Sequence, residues 1–224
     1  MKIYNAEVTN YCNSKCEYCP YPSMTRPKGF MSMETYEKVL EKQELDFIEL
    51  HGFGEPLMHP QIFDFVRMAH ERGLKTQFST NGLLLNKKVM DKLVDAGLSL
   101  LFISIRPYFD IVKPKLEELY EEYSRKMEIM IYYVEFPEKT QSLPSGWKVT
   151  HIIPHTWSSQ VPLPFIKSPD KCFNLKNRAV TVLWDGRVSN CCHDFDGKYI
   201  IGSIDDEGLK PKPNELCKEC EFYG

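Results

Sequence analysis

The cysteines constrain this chain more than any other feature. Eight occur in 224 residues, in two groups. Cys12, Cys16 and Cys19 lie near the N-terminus; Cys172, Cys191, Cys192, Cys217 and Cys220 lie near the C-terminus, and residues 20–171 hold none. The opening MKIYNAEVTNYC does not read as a secretory signal. No apolar run approaches the roughly 20 residues of a membrane span. A soluble, cytoplasmic protein is therefore expected, with no membrane partner. In a reducing compartment, clustered cysteines read as metal ligands or redox groups rather than disulfides. A net charge of −3 and an isoelectric point near 6.1 weigh against a nucleic-acid partner.

Between the two groups, short apolar runs alternate with amphipathic segments. Strands are expected at 2–9, 47–50, 75–79, 99–105, 127–134 and 147–153. Helices are expected at 33–42 (with Ser32 as N-cap), 60–72 (closed by Gly73), 87–96 (ended by Gly97) and 113–126. This alternation predicts βα units and a mostly parallel sheet. Six strands are fewer than a full TIM barrel needs. The expected fold class is α/β, a partial (β/α)6 TIM-like barrel over residues 1–158. Residues 159–224 would form a linker and a small C-terminal domain. The boundary is suggested by the prolines Pro154, Pro162 and Pro164 in an irregular stretch.

Ligands of such sheets bind beyond the carboxyl ends of the strands. The first strand ends in Thr9-Asn10-Tyr11-Cys12, opening the spacing C-x3-C-x2-C. Three thiolates on one loop can hold three corners of a cubic iron–sulfur cluster and leave the fourth iron open. A structural zinc would need a fourth ligand that the loop lacks. The second strand ends in His51-Gly52-Phe53-Gly54-Glu55-Pro56, with glycines where backbone approaches a ligand closely. Ser79-Thr80-Asn81-Gly82 ends the third and suits a ribose, although an Asn-Gly turn would also explain its last two residues. The fourth delivers Ser104 and Arg106 to the same rim. Arg106 either pairs with a carboxylate or faces solvent.

C-x3-C-x-aromatic-C directly after a first strand resembles the radical S-adenosylmethionine (radical SAM) superfamily. In that family the open iron is chelated by S-adenosylmethionine, which is cleaved to a 5′-deoxyadenosyl radical. The resemblance implies that Cys12, Cys16 and Cys19 hold a 4Fe–4S cluster, with Tyr18 near the adenine. It also implies that Gly54 and Glu55 serve the methionyl amino group, Ser79 and Asn81 the ribose, and Ser104 and Arg106 the same cofactor. Phe53 departs from the family's glycine at that place.

The C-terminal cysteines follow C-x13-G-x4-C, with a hairpin turn at Trp184-Asp185-Gly186-Arg187, and end in Cys217-x2-Cys220. This resembles the family's twitch domain, the shortened SPASM domain. It implies a second 4Fe–4S cluster on Cys172, Cys191, Cys217 and Cys220, with four-thiolate zinc as the alternative. Cys192 is left over as a core cysteine, an alternative ligand or a hydrogen-atom donor. The arrangement is similar to a twitch-domain dehydrogenase that oxidises a secondary alcohol of an aminocyclitol, with a shorter segment before Cys217. His155, Asp194 and Cys192 are candidate catalytic residues, and His51 and His59 supporting ones. The expected reaction is dehydrogenation of a small molecule such as a sugar or cyclitol, served by a flavodoxin or ferredoxin as electron donor. Epimerisation and peptide modification are the enzymatic rivals. A zinc-binding interaction protein is the rival of another class.

Overall fold

The computed structural model describes residues 1–105, 108–134, 142–152, 156–164, 166–168 and 171–223. Six parallel strands come first: β1 (Ile3–Ala6), β2 (Phe47–Glu49), β3 (Lys75–Thr80), β4 (Leu100–Ser104), β5 (Glu128–Val134) and β6 (Val149–Ile152). Between them lie α1 (Met33–Lys42), α2 (Ile62–Glu71), α3 (Lys87–Ala96) and α4 (Phe109–Tyr123). This is the partial, TIM-like α/β barrel expected. The short α5 (Phe173–Asn177) leads into β7 (Val180–Val182), β8 (Arg187–Ser189) and β9 (Ile200–Ser203), and α6 (Glu215–Lys218) follows.

β7 pairs parallel to β1, while β8 and β9 add antiparallel, giving one sheet in the order β6-β5-β4-β3-β2-β1-β7-β8-β9. The C-terminal hairpin thus extends the barrel sheet at its β1 edge. β9, which the sequence reading left unassigned, completes it.

Local signals explain the helix ends. The Ser32 hydroxyl accepts from the Thr35 N–H at 3.0 Å and caps α1. Gly97 ends α3 at φ +83°, and a side chain there would strike the His70 ring. The start of α4 differs from the reading at 113–126: the helix begins at Phe109 and holds Pro114 inside it. An interior proline costs about 3 kcal/mol. The buried stripe Val112, Leu116, Leu119, Tyr120 and Tyr123 outweighs that, since each fully buried apolar side chain contributes about 1.5–3 kcal/mol.

The alternation along the strands separates two environments. Ile48, Leu50, Phe78, Leu101, Ile103, Ile129 and Ile131 face the helices and form the core with Tyr36, Phe65, Met90 and Leu93. The opposite face carries Asn5, Glu49 and Gln77 in register on neighbouring strands, then Ser79 beside Phe102 and Ser104 beside Tyr132. A barrel whose inner face is this polar is built to receive a polar ligand.

Candidate metal and cofactor centre

The loop after β1 is held at both ends. Asn10 is fully buried; its amide donates to Pro27 O at 2.9 Å and its carbonyl accepts from Gly29 N at 2.8 Å. The Cys12 N–H donates to the Tyr21 hydroxyl at 3.1 Å, and Cys19 N closes a turn on Cys16 O at 3.2 Å. Burial pushes the Cys12 thiol up to about 11 and Cys19 up to about 12, and it raises Cys16 as well. Each of Cys12 and Cys16 lies in the field of Cys19. A bound metal would offset this by supplying positive charge that favours the thiolates. The Tyr18 hydroxyl hydrogen-bonds the Cys16 sulfur.

The β2 loop locks against the cysteine loop. A Cβ on Gly54 would lie 2.2 Å from the Thr9 carbonyl oxygen, so only glycine fits there. Glu55 N donates to Tyr11 O at 2.8 Å. The Glu55 carboxylate is buried: Oε1 accepts from Leu57 N at 3.1 Å and Thr80 Oγ1 at 2.8 Å, and Oε2 from Asn81 N at 2.8 Å. Burial outweighs these donors and pushes Glu55 up to about 7. Asn81 donates to Asn13 Oδ1 at 2.7 Å and accepts from Leu83 N at 3.0 Å, which ties the β3 end to the cysteine loop. Ser79 and Ser104 sit half-buried on the inner face. Arg106 and His155 lie outside the described residues.

The C-terminal cysteines converge on one another. Cys172 lies in the field of Cys191 and Cys220, and so does Cys217. Cys191 follows β8 and its sulfur accepts from His193 N at 3.3 Å. Cys220 N donates to Cys217 O at 3.3 Å. Cys192 hydrogen-bonds Cys191, which raises the Cys192 thiol well above its ordinary value and lowers Cys191. Among the described residues, no three sulfurs lie within 4.8 Å of one another; the group that does is His193, Cys220 and Glu221. His193 and Glu221 are committed to the linker. His193 Nδ1 meets the Ser158 hydroxyl at 2.9 Å, and Glu221 accepts from Thr156 and from Ser158 N.

Asp194 supports its own loop. One carboxylate oxygen accepts from Lys198 N at 2.8 Å, the other from Ser189 Oγ and Tyr199 N, each at 2.8 Å. It does not line the cavity described next, which takes in Cys192.

Four features have contacts that the sequence reading did not give. Glu7 and Arg26 form a buried bidentate pair at 2.7 and 2.5 Å, and Arg26 Nε donates to Phe195 O at 2.6 Å. Asp196 accepts from Thr25 N at 2.7 Å, so the segment after Cys192 clamps the N-terminal loop. Trp157, at φ +53°, donates from its indole to Tyr18 O at 2.9 Å and packs 5.1 Å from the Phe53 ring. Finally, a cavity of about 600 Å³ opens between Gly52 and Phe53 on one side and Cys172, Cys191 and Cys220 on the other. Glu49 and His51 line it. His51 was already read as a supporting residue; its period-two spacing from Glu49 at the end of β2 was the signal that could have found Glu49.

A family model for the Radical SAM superfamily matches residues 6–133, and one for an iron–sulfur cluster-binding domain matches residues 172–211. The first spans more than half of the chain: this protein belongs to the Radical SAM superfamily, whose members bind 4Fe–4S clusters and S-adenosylmethionine. The second includes Cys172, Cys191 and Cys192 and stops short of Cys217 and Cys220. The S-adenosyl-L-methionine-dependent 2-deoxy-scyllo-inosamine dehydrogenase of Niallia circulans is 27% identical over 92% of this chain and 80% of its own length. The tungsten-containing aldehyde ferredoxin oxidoreductase cofactor-modifying protein of Pyrococcus furiosus is 34% identical over 47% of this chain, a match that spans only 31% of that protein. The crystal structure of BtrN with AdoMet and 2-DOIA superposes with a TM-score of 0.68 at 20% identity, covering 92% of this chain and 79% of that one, which establishes the shared fold.

Proposed function

We propose that this radical SAM enzyme oxidises a hydroxyl-bearing small molecule of the cyclitol or sugar class. The observation that carries the proposal is the cavity, walled on one side by the loop that bears Gly54 and Glu55 and on the other by the C-terminal thiols. A substrate there would lie beside the C-terminal thiols, next to the loop that leads into Gly54 and Glu55. The 27% identity to the 2-deoxy-scyllo-inosamine dehydrogenase, sustained over 92% of this chain, supports the reaction type.

Cys12, Cys16 and Cys19 would hold the open cluster, and Cys172, Cys191, Cys217 and Cys220 the closed one. With S-adenosylmethionine bound, that site would supply the radical chemistry for removing a hydrogen atom from the substrate. Gly54 lets the two loops close on each other. Glu55 Oε2 accepts one protein bond and keeps a lone pair for the methionyl ammonium. Phe53 and Trp157 pack together beside the cavity and would keep water from the reacting carbon. The closed thiolate set suits acceptance of the second electron, and a flavodoxin or ferredoxin would supply the first.

Anaerobic turnover with 2-deoxy-scyllo-inosamine tests this. One equivalent of 5′-deoxyadenosine per product two hydrogens lighter is expected. A product of unchanged mass with one inverted centre would replace oxidation by epimerisation, with Cys192 as the returning donor to mutate first. The PqqA peptide cyclases, matched over about a third of their length or less, favour a peptide as the second reading. Release of 5′-deoxyadenosine with peptides and not with cyclitols would select it.

A further inference from the structure

Among the described residues, five buried side-chain nitrogen and oxygen atoms have no hydrogen-bond partner, and three of them belong to Asn174 and Asn214. Asn174 is 2% exposed, and neither end of its amide is partnered. It stands on α5, two residues after Cys172, and its backbone N–H donates to the Cys172 sulfur. Asn214 caps α6, the helix that carries Cys217. Its Oδ1 accepts from Leu216 N at 2.9 Å, which commits the oxygen and leaves Nδ2 as the orphan. Its own backbone N–H donates to the Cys217 sulfur at 3.3 Å, and Oδ1 lies 3.8 Å from that sulfur. Each orphaned amide therefore belongs to a residue that already touches a thiol of the C-terminal set.

The N-terminal set is built differently. Its buried asparagines have spent their amide nitrogens on protein oxygens, Asn10 on Pro27 O at 2.9 Å and Asn81 on Asn13 Oδ1 at 2.7 Å. A buried donor left unpaired is rare and costly, and it calls for an acceptor. The acceptors that a 4Fe–4S cluster brings are its sulfides and its ligating thiolates.

We infer that Asn174 and Asn214 donate side-chain N–H hydrogen bonds to sulfurs of the second 4Fe–4S cluster and thereby raise its reduction potential. The inference rests on the assignment of Cys172 and Cys217 to that cluster, and it names the residues that set how readily the cluster takes an electron. Reduction adds one negative charge to a cluster, and an N–H directed at its sulfur binds the more negative state more tightly. Hydrogen bonds to sulfur are one of the means by which a protein tunes such a potential. Both asparagines are positioning residues, since neither needs to touch the substrate.

Iron and sulfide analysis of the anaerobically reconstituted wild type comes first. About eight of each per chain secures the second cluster; about four, or stoichiometric zinc, removes that cluster and the inference with it. A dithionite titration followed by electron paramagnetic resonance then gives the two midpoints, with S-adenosylmethionine marking the signal of the first cluster. Asn174→Leu keeps the volume and loses the amide; Asn214→Ser keeps a hydroxyl to cap α6. At the wild-type midpoint, each variant should lower the reduced-to-oxidised ratio of the second cluster by roughly three- to tenfold, tenfold being about 59 mV for a one-electron couple. The midpoint of the first cluster should not move. Unmoved second midpoints with iron retained overturn the inference and leave the two-cluster reading standing. A variant that loses iron is replaced by a measurement on the wild type, grown with asparagine carrying nitrogen-15 only in its side-chain amide. Pulsed resonance should show that nitrogen coupled to the reduced second cluster, and its absence overturns the inference without any substitution.

Discussion

Gly54 and Glu55 stand side by side, and their constraints differ. At Gly54 the constraint is contact: a methyl group would sit 2.2 Å from the Thr9 carbonyl oxygen and press on backbone that cannot swing aside. Gly54→Ala should therefore destabilise by about 1–3 kcal/mol, the usual cost of overpacking, and should reduce cluster retention in the N-terminal site. Thermal denaturation with iron analysis measures both; an unaltered variant would mean the two loops do not meet. At Glu55 the constraint is electrostatic. Burial raises its pKa from 4.5 to about 7, so the folded state favours the protonated acid. The associated stability is present in full below about pH 4.5 and is lost as pH rises through about 7, a difference on the order of 3 kcal/mol. Without S-adenosylmethionine, wild type should lose ground to Glu55→Gln between pH 5 and pH 7.5 in denaturant titrations. Parallel curves across that range would show that the carboxylate stays ionised throughout.

Short segments separate what a sequence displays from what only folding assembles. Strand and helix order was legible because each segment carries its own periodicity and caps, as Ser32 and Gly97 do. The grouping of Cys12, Cys16 and Cys19 on one loop was legible because C-x3-C-x2-C keeps the three thiols within a few bonds of one another. The Glu7–Arg26 pair was not: its members are 19 positions apart, and Arg26 reaches Phe195 across 169. No local pattern announces a contact that long-range folding creates. The same holds for β7 against β1 and for the meeting of Glu49 with the C-terminal cavity. Arg26→Ala should cost about 3–5 kcal/mol, since it strands a buried carboxylate; Glu7→Gln with Arg26→Met should recover part of the loss. Denaturant midpoints of the three proteins check this. A double variant no better than Arg26→Ala would show that the Phe195 contact, not the ion pair, holds the two loops together.

At the scale of the molecule, seven thiols in two sets predict about eight iron and eight sulfide per chain from two cubic clusters. Replacing Cys217 and Cys220 by alanine should halve the iron, leave S-adenosylmethionine cleavage intact and stop product formation. Stoichiometric zinc in the C-terminal set after anaerobic purification would remove the second cluster and leave the first. Among the described residues no helix is long and apolar enough to cross a membrane. The union of β7 with β1 has a consequence for how the metals arrive. One strand leads into the first cysteine loop, and the strand beside it belongs to the hairpin that leads to Cys191. Filling either set orders the seam that both sets hang on, so part of the ordering cost of the second delivery is met by the first. Starved of iron, a population of these chains should divide into empty and fully charged molecules, with few caught halfway, and native mass spectrometry would count them.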